Sequence, residues 1–267
     1  MMEFRTCVDI PRPDFTIEPC EEMLFVGSCF ADGIGQRFVD NKFRATVNPY
    51  GVMYNPASVL HTIERWESAP RMVFVTLGTN HIYRLNETGE IVDNCQKRPQ
   101  SLFTEEELSI SQCADYLCRA TDLVLQRRPD AHIVFTVSPI RYRKYGYHES
   151  QLSKATLLLA VHEVCKCVPS ASYFPAYEIV LDELRDYRFY KEDMLHPSAQ
   201  AVEYIWQQLV AYYFSPAAKQ FLQEWAPLKA ALAHRPFNPN SEDYRTFMNN
   251  TMQKVAALQK KYPNLTV

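Results

Sequence analysis

The segment MLFVGSCFADGIG at residues 23–35 decides the fold of this chain. Its first five residues form a short apolar run that ends at a glycine, and this pattern is typical of a buried strand. Apolar residues then recur at helical spacing to about residue 40, so a helix follows the strand almost at once. The turn between them, Gly27-Ser28-Cys29, places a hydroxyl and a thiol at the positive end of that helix.

Outward from this segment, strand patterns alternate with helical patterns. Strands are predicted near residues 44–48, 72–77, 132–137 and 172–181, and helices near residues 30–40, 55–66, 151–167 and 198–214. Such alternation predicts an α/β fold in which helices cover both faces of a parallel sheet. Because ligands of such sheets bind beyond the carboxyl ends of the strands, we expect the functional residues in the loops that follow them.

Two parts of the chain depart from this alternation. Residues 81–103 contain two alternating runs around a turn and predict a hairpin-like insertion. Residues 104–107 have the spacing of a capping box, which predicts a helix to about residue 127. Two more helices are expected near the C-terminus, at 216–233 and 241–262. We therefore expect two parts, an α/β domain at 1–235 and a helical extension at 236–267 packed on it.

The composition of the 267 residues excludes several classes of protein. Hydrophobic residues make up 47% and charged residues 22%, which is a globular balance. A net charge of −3 argues against a nucleic-acid partner, and no apolar run reaches the roughly 18 residues of a membrane span. The N-terminal segment lacks the apolar core of a signal peptide, and the eight cysteines form no Cys-x-x-Cys pair. We expect a cytoplasmic protein with reduced thiols and without a metal or other cofactor.

Four side chains at predicted strand ends or loops form a pattern suited to acyl transfer. A nucleophile, Ser28 or Cys29, follows the first strand, Asn80 follows the third, and Asp193 and His196 lie three residues apart before a late helix. Acyl transfer needs a nucleophile, a hydrogen-bond donor, a carboxylate and an imidazole of this kind. Each feature also has a structural interpretation: a helix cap, a packed buried thiol, or an ordinary turn. Their combination favours a catalytic site.

The sequence resembles the GSCFA family, whose name is spelled by residues 27–31. The resemblance covers roughly residues 24–210 and includes NPYGVMYNP at 48–56, TLGT at 76–79, NCQK at 94–97, SPIR at 138–141, SKATLLLA at 153–160 and LRDYRFYKEDMLHP at 184–197. Gln96 stands where members of the family commonly have histidine. The family is placed among SGNH/GDSL-type hydrolases. This implies a three-layer α/β/α, flavodoxin-like parallel sheet, here with a helical C-terminal extension.

The resemblance also implies a catalytic triad. An ungapped match to the GDSL-type pattern places Cys29 in the nucleophile position and Ser28 where the superfamily has aspartate. Ser28 is the alternative nucleophile, but matching it to the superfamily serine requires a shift of one residue. At the start of a helix, such a shift changes the direction of the side chain by about 100°. The implied triad is therefore Cys29, His196 and Asp193.

Further site residues follow from the same resemblance. Asn48 and Gly51 resemble the second superfamily block, in which a glycine N–H serves the oxyanion hole, and Asn80 resembles the asparagine of the third block. Arg141 at a strand end is a candidate for binding an anionic or sugar substrate. The weaker candidates for the same role are Lys97, Arg185 and Arg188; salt bridges to neighbouring acids explain the last two equally well.

These expectations describe an SGNH-like esterase or acyl hydrolase that works through a covalent acyl-enzyme. Its substrate would be an acylated carbohydrate or a small metabolite ester. An acyltransferase on the same site is one alternative, since a thioester also suits transfer to another acceptor. A non-catalytic ligand-binding module is another, and a homo-oligomer formed through the C-terminal helices is a further expectation.

Overall fold

The computed structural model describes residues 5–95 and 98–267. The strands are β1 (Glu22–Gly27), β2 (Arg44–Val47), β3 (Met72–Leu77), β4 (His81–Leu85), β5 (Ile91–Val92), β6 (Phe103–Glu107), β7 (His132–Val137) and β8 (Ala171–Tyr173). The helices are α1 (Cys29–Asp40), α2 (Pro56–Arg65), α3 (Ile110–Arg127), α4 (Tyr147–Cys167), α5 (Ala176–Glu178), α6 (Ala199–Tyr213), α7 (Pro216–Leu232) and α8 (Glu242–Lys261). A π-helical segment, Ile179–Leu184, continues α5, and 3-10 turns lie at Gln100–Leu102 and Tyr187–Phe189.

Five strands form one parallel sheet in the order β2-β1-β3-β7-β8. Counted along the chain this order is 2-1-3-4-5, the flavodoxin-like doubly wound arrangement. Phe25 of β1 lies beside Phe74 of β3, which lies beside Val134 of β7. The order reverses between β1 and β3, so the carboxyl ends of these two strands flank the crevice in which such sheets bind ligands.

Successive residues of the central strands enter two different cores. Phe25 and Phe74 pack with residues of α1, α6 and α7, whereas Leu24 and Val75 pack with residues of α2, α3 and α4. This division follows because neighbouring side chains of a strand point to opposite faces, and both faces of a doubly wound sheet are covered. The predicted three-layer α/β/α fold is thereby confirmed.

The insertion forms a second, antiparallel sheet in the order β5-β4-β6. The predicted hairpin is confirmed by the pairing of β4 with β5. The helix predicted to start at residue 104 is wrong in its first turn, because residues 103–107 form a strand that pairs with β4. The capping box that starts α3 consists of Ser109 and Gln112 instead. Cross-strand contacts such as Arg84–Glu106, at 2.9 Å, stabilise the strand.

The C-terminal helices contribute to the core on one face of the main sheet. Val255, Leu258 and Leu265 are buried in the same cluster as the apolar residues of α1 and α6. The Tyr262 ring meets Phe221 edge-on, with 5.0 Å between ring centroids. Among the helices that the structure describes, none is long and apolar enough to span a membrane.

Candidate active site

A tight turn joins β1 to α1 at the carboxyl edge of the sheet. Gly27 has a φ of +144°, and a Cβ at this position would lie 2.0 Å from the carbonyl oxygen of Thr76. The next residue, Ser28, donates its N–H to that same oxygen over 3.0 Å. Only glycine allows this close approach of the two strands, and the approach fixes the start of α1 against the end of β3.

Ser28 serves the start of the helix. Its Oγ accepts the N–H of Phe30 over 3.3 Å as an N-cap and lies 3.4 Å from Oγ1 of Thr76. The residue is only 1% exposed. The hydroxyl is therefore buried and already hydrogen-bonded, which disfavours Ser28 as the nucleophile.

Cys29 is the first residue of α1 and is half-buried. Its Sγ lies 3.9 Å from the hydroxyl of Tyr54, within hydrogen-bonding reach for sulfur. Burial, together with the nearby thiol and Asp32, raises the pKa of Tyr54 to about 12. The Tyr54 hydroxyl therefore stays protonated at neutral pH and can donate to negative charge at the thiol.

Asp193 and His196 form a hydrogen-bonded pair in the loop before α6. Oδ2 of Asp193 lies 2.6 Å from Nδ1 of His196, while Oδ1 accepts the backbone N–H groups of Leu195 and His196 at 2.8 and 3.0 Å. These bonds, led by the one from the His196 backbone, lower the pKa of Asp193 to about 2. An ionised carboxylate at Nδ1 leaves Nε2 of the imidazole free to accept a proton.

Arg141 fixes this loop to the end of β7. Its backbone N–H donates to Leu195 O and its Nη1 donates to Met194 O, both over 3.1 Å. The guanidinium also lies 4.2 Å from the centroid of the Tyr147 ring. Met194 itself has a φ of +60°, a left-handed conformation that the surrounding bonds hold in place. In this structure Arg141 positions the histidine loop, and its expected contact with substrate stays a prediction.

The thiol lies on α1, and the imidazole lies in the loop that precedes α6, a helix that packs against α1. α6 begins just after His196, and its Glu203 forms a 2.6 Å ion pair with Arg37 of α1. Within the described part of the chain, the thiol is hydrogen-bonded to Tyr54, and no hydrogen bond joins it to His196. Catalytic hydrogen bonds are often long in unliganded sites and tighten when substrate binds.

The expected oxyanion-hole residues all have partners inside the protein. Asn48, at a φ of +43°, accepts the N–H of Gly27 over 2.8 Å and donates to Asp32 over 2.6 Å. The N–H of Gly51 donates to Asn48 O over 2.9 Å within a turn. The amide of Asn80, 3% exposed, donates to Leu108 O over 2.8 Å. The N–H of Gly51 would have to exchange its existing bond before it could hold an oxyanion, and each side-chain amide already uses one of its two N–H groups inside the protein.

Three residues near the site have no signature in the sequence pattern: Tyr54, Tyr142 and Lys154. The hydroxyl of Tyr142 lies 2.6 Å from the place that a Cβ at Gly78 would take. Lys154 of α4 is 2% exposed, and its Nζ donates to Gly78 O and Ser138 O over 2.6 and 2.8 Å. Burial lowers the pKa of this lysine to about 7. For Lys154 alone the sequence holds a hint, because a lysine lies on the apolar face of the helix that contains SKATLLLA.

A pocket of about 440 Å³ adjoins the site. Tyr54, whose hydroxyl contacts the thiol, forms part of its wall, as do Tyr142 and Tyr145 from the segment after β7 and residues of the insertion such as His81.

The remaining basic candidates lie elsewhere. Arg188 forms a 2.9 Å ion pair with Asp186, which supports the salt-bridge interpretation. Arg185 lies at the edge of two other pockets. Lys97 and Gln96 lie outside the described residues. No group of three His, Cys, Asp or Glu side chains in the described part of the chain is arranged to hold a metal ion.

The fold and the site define a doubly wound α/β protein with a thiol at its first strand-to-helix turn. More specifically, the chain belongs to the GSCFA family: the sequence model of that family matches residues 22–71 and 67–209. A second model, that of the GSCFA domain protein C-terminal domain, matches residues 225–267, from within α7 to the C-terminus. A search of curated protein sequences found no match.

Solved structures that resemble this chain include esterases and a lipolytic protein. The family 3 carbohydrate esterase of Clostridium thermocellum is 13% identical with a TM-score of 0.42, covering 80% of this chain and 99% of that chain. A member of the lipolytic protein G-D-S-L family from Veillonella parvula DSM 2008 is 12% identical with a TM-score of 0.46, covering 71% and 96%. A mutant acetyl-xylooligosaccharide esterase from Geobacillus Stearmophilus is 13% identical with a TM-score of 0.44, covering 74% and 96%.

Proposed function

We propose that this chain hydrolyses esters of a small acyl group through a thioester on Cys29. The observation that carries the proposal is the Asp193–His196 pair, in which a 2.6 Å bond to Nδ1 fixes the imidazole. This pair lies in the loop that precedes α6, which packs on the helix begun by Cys29. A thiol is suited to the role because sulfur is intrinsically a strong nucleophile and forms thioesters that water can attack.

The reaction has two steps. Nε2 of His196 accepts the thiol proton, and the sulfur attacks the carbonyl carbon of the ester. A carbon–sulfur bond forms, the carbon–oxygen bond to the alcohol breaks, and His196 returns the proton to the departing oxygen. Water then attacks the thioester with His196 as the base, which releases the carboxylic acid and restores the thiol.

Two donors lie at the thiol to hold the oxyanion. The N–H of Cys29 is at the first turn of α1, and no backbone or side-chain acceptor among the described residues takes it. The hydroxyl of Tyr54 lies 3.9 Å from the sulfur and stays protonated because of its raised pKa. We assign these two groups to the oxyanion ahead of Gly51, whose N–H is occupied, and of Asn80, whose amide is buried and bonded to Leu108 O.

Burst kinetics with p-nitrophenyl acetate test the proposal. The wild-type protein should release p-nitrophenol in a burst, and its intact mass should rise by one acetyl group, mapped to Cys29. Cys29→Ala should abolish both signals, and Asp193→Asn should slow the burst by orders of magnitude because the imidazole loses its fixed tautomer. Ser28→Ala is the matched control and should keep the burst.

The outcomes separate the alternatives. Faster turnover with an added alcohol, giving a new ester, would point to an acyltransferase on the same thioester. Acetyl mapped to Ser28 would reverse the choice of nucleophile. The complete lack of acyl-enzyme under single-turnover conditions would contradict the proposal and favour a binding module.

A further inference from the structure

The pocket of about 440 Å³ beside Cys29 is built by two parts of the chain. Tyr54 and Tyr142 come from the loops at the carboxyl edge of the main sheet, and Tyr83 and Phe103 come from the insertion. We propose that this pocket binds the sugar ring of an O-acylated carbohydrate, with the acyl group directed past Tyr54 to the thiol. This inference rests on the proposed function and names the alcohol part of its substrate.

The lining favours a sugar over a fatty acyl chain. Among the described residues that line it, none is leucine, isoleucine, valine or methionine; the aromatic ones are Tyr54, His81, Tyr83, Phe103, Tyr142 and Tyr145. Amide or charged side chains surround these rings: Asn55, Asp93, Asn94, Arg98, Gln100 and Lys144. An acyl chain would remove these polar groups from water without replacing their hydrogen bonds, at a cost in free energy. A sugar ring offers an apolar face to the aromatic rings and hydroxyls to the polar groups.

The aromatic wall is held in one arrangement before any ligand binds. His81 stacks on Tyr145 with 3.9 Å between ring centroids and 5° between planes, and Tyr145 stacks on Tyr142 at 5.9 Å and 15°. Lys144 donates to the hydroxyl of Tyr83 and pairs with Glu105 at 2.9 Å. A pre-organised wall lowers the ordering cost of binding, so a rigid ring ligand fits it well.

The pocket is close enough to the thiol to share a substrate with it. The hydroxyl of Tyr54 lies 3.9 Å from Sγ of Cys29, and Tyr54 meets the Tyr142 ring edge-on at 6.2 Å between centroids. Tyr54 therefore borders both the sulfur and the pocket, and Tyr142 lines the pocket beside it. A sugar seated against them would present an ester on a ring hydroxyl at the start of α1.

Binding is tested without catalysis in the Cys29→Ala protein. Saturation-transfer NMR with methyl glycosides of glucose, xylose and mannose, and with octanoate, should show contact to the protein for at least one glycoside. Tyr145→Leu should weaken that binding roughly three- to tenfold, the usual range for one lost aromatic contact. Tyr145→Phe, which keeps the ring, should retain most of it. Tyr212→Leu, on α6 and outside the pocket lining, is the matched control and should not change it.

A kinetic experiment links the pocket to the reaction. Tyr145→Leu should lower kcat/KM for the acetylated form of the bound glycoside three- to tenfold more than it lowers kcat/KM for ethyl acetate, which has no sugar ring to bind the pocket. Phe103→Leu provides a second variant if Tyr145→Leu does not fold, as judged by its circular dichroism. Octanoate binding in the absence of any glycoside signal would overturn the sugar assignment, as would equal losses for both esters. Glycoside binding without any acyl-enzyme would instead leave the pocket assignment intact and defeat the proposed esterase activity.

Discussion

At the scale of single residues, the two neighbouring nucleophiles of the turn have different environments. Ser28 is 1% exposed and caps α1 through Phe30, whereas Cys29 is half-buried and touches the Tyr54 hydroxyl. The ungapped match to the GDSL-type pattern favours Cys29, and the burial of Ser28 agrees with that preference. The functional assignment of either residue remains a proposal.

Ser28→Ala should therefore affect stability more than chemistry. Loss of the N-cap should lower the free energy of unfolding by about 1 kcal/mol, as measured by urea denaturation. The rate of acyl-enzyme formation should stay within a factor of a few of wild type. A normal unfolding curve with abolished acylation would contradict the assignment.

Lys154 is the most unusual charged residue, because its ammonium is buried against two carbonyl oxygens. Its pKa of about 7 in the folded protein is far below the roughly 10.4 of an unfolded chain. Between these values the unfolded state binds more protons than the folded state, so the stability linked to Lys154 rises with pH and is lost as pH falls to 7.

Lys154→Met should remove this dependence. The free energy of unfolding of wild type minus that of the variant should increase between pH 7 and 9, by at most about 1.4 kcal/mol per pH unit. Urea unfolding of both proteins at several pH values measures it. A difference that stays flat would show that the two carbonyl hydrogen bonds keep the lysine charged.

At the scale of elements, the strands that the sequence predicted correctly are those with a clear local run of apolar residues. β1, β3 and β7 are apolar runs buried on both faces, and the predicted strands matched them. β6 was not predicted because its acidic residues 105–107 resemble the first turn of a helix. The strand is stabilised by pairing with β4, about twenty positions earlier in the chain, and a local pattern does not show such pairing. Within the site, Asp193 and His196 could be predicted as a pair because they are only three residues apart in the sequence. Lys154 contacts a carbonyl 76 residues away, which no local pattern reveals.

Asn80 connects β4 to the segment before α3. Its side-chain amide donates to Leu108 O, and its backbone carbonyl accepts the Leu108 N–H over 3.0 Å. Asn80→Ala should lower the free energy of unfolding by about 1–3 kcal/mol, because Leu108 O would lose its buried donor. Acylation should fall less than tenfold. A loss of a hundredfold or more in kcat at unchanged stability would identify Asn80 as an oxyanion donor after all.

At the scale of the whole molecule, the helical extension has an inner and an outer face. Val255 and Leu258 of α8 are buried in the core, while Phe247 and Met252 are 41% and 49% exposed. The predicted oligomer through the C-terminal helices would use this outer face. The division of the chain at residue 235 also remains a prediction.

A double substitution tests the oligomer better than truncation, since removing α8 would uncover Phe221 and Trp225 in the core. We expect the wild-type protein to self-associate as its concentration rises in sedimentation velocity. Phe247→Asp with Met252→Lys should keep it monomeric, with an unchanged circular dichroism spectrum. A wild-type protein that is monomeric at every concentration would contradict the expectation.

The central claim, that His196 activates the thiol of Cys29, is tested most directly by alkylation kinetics. Iodoacetamide should label Cys29 faster than the exposed Cys7 and Cys167, which serve as internal references for an ordinary thiol. His196→Ala should slow labelling of Cys29 by tenfold or more and leave the two references unchanged, as followed by peptide mass spectrometry over time. Labelling of Cys29 that is no faster than the references, and that is equal in wild type and His196→Ala, would contradict the account.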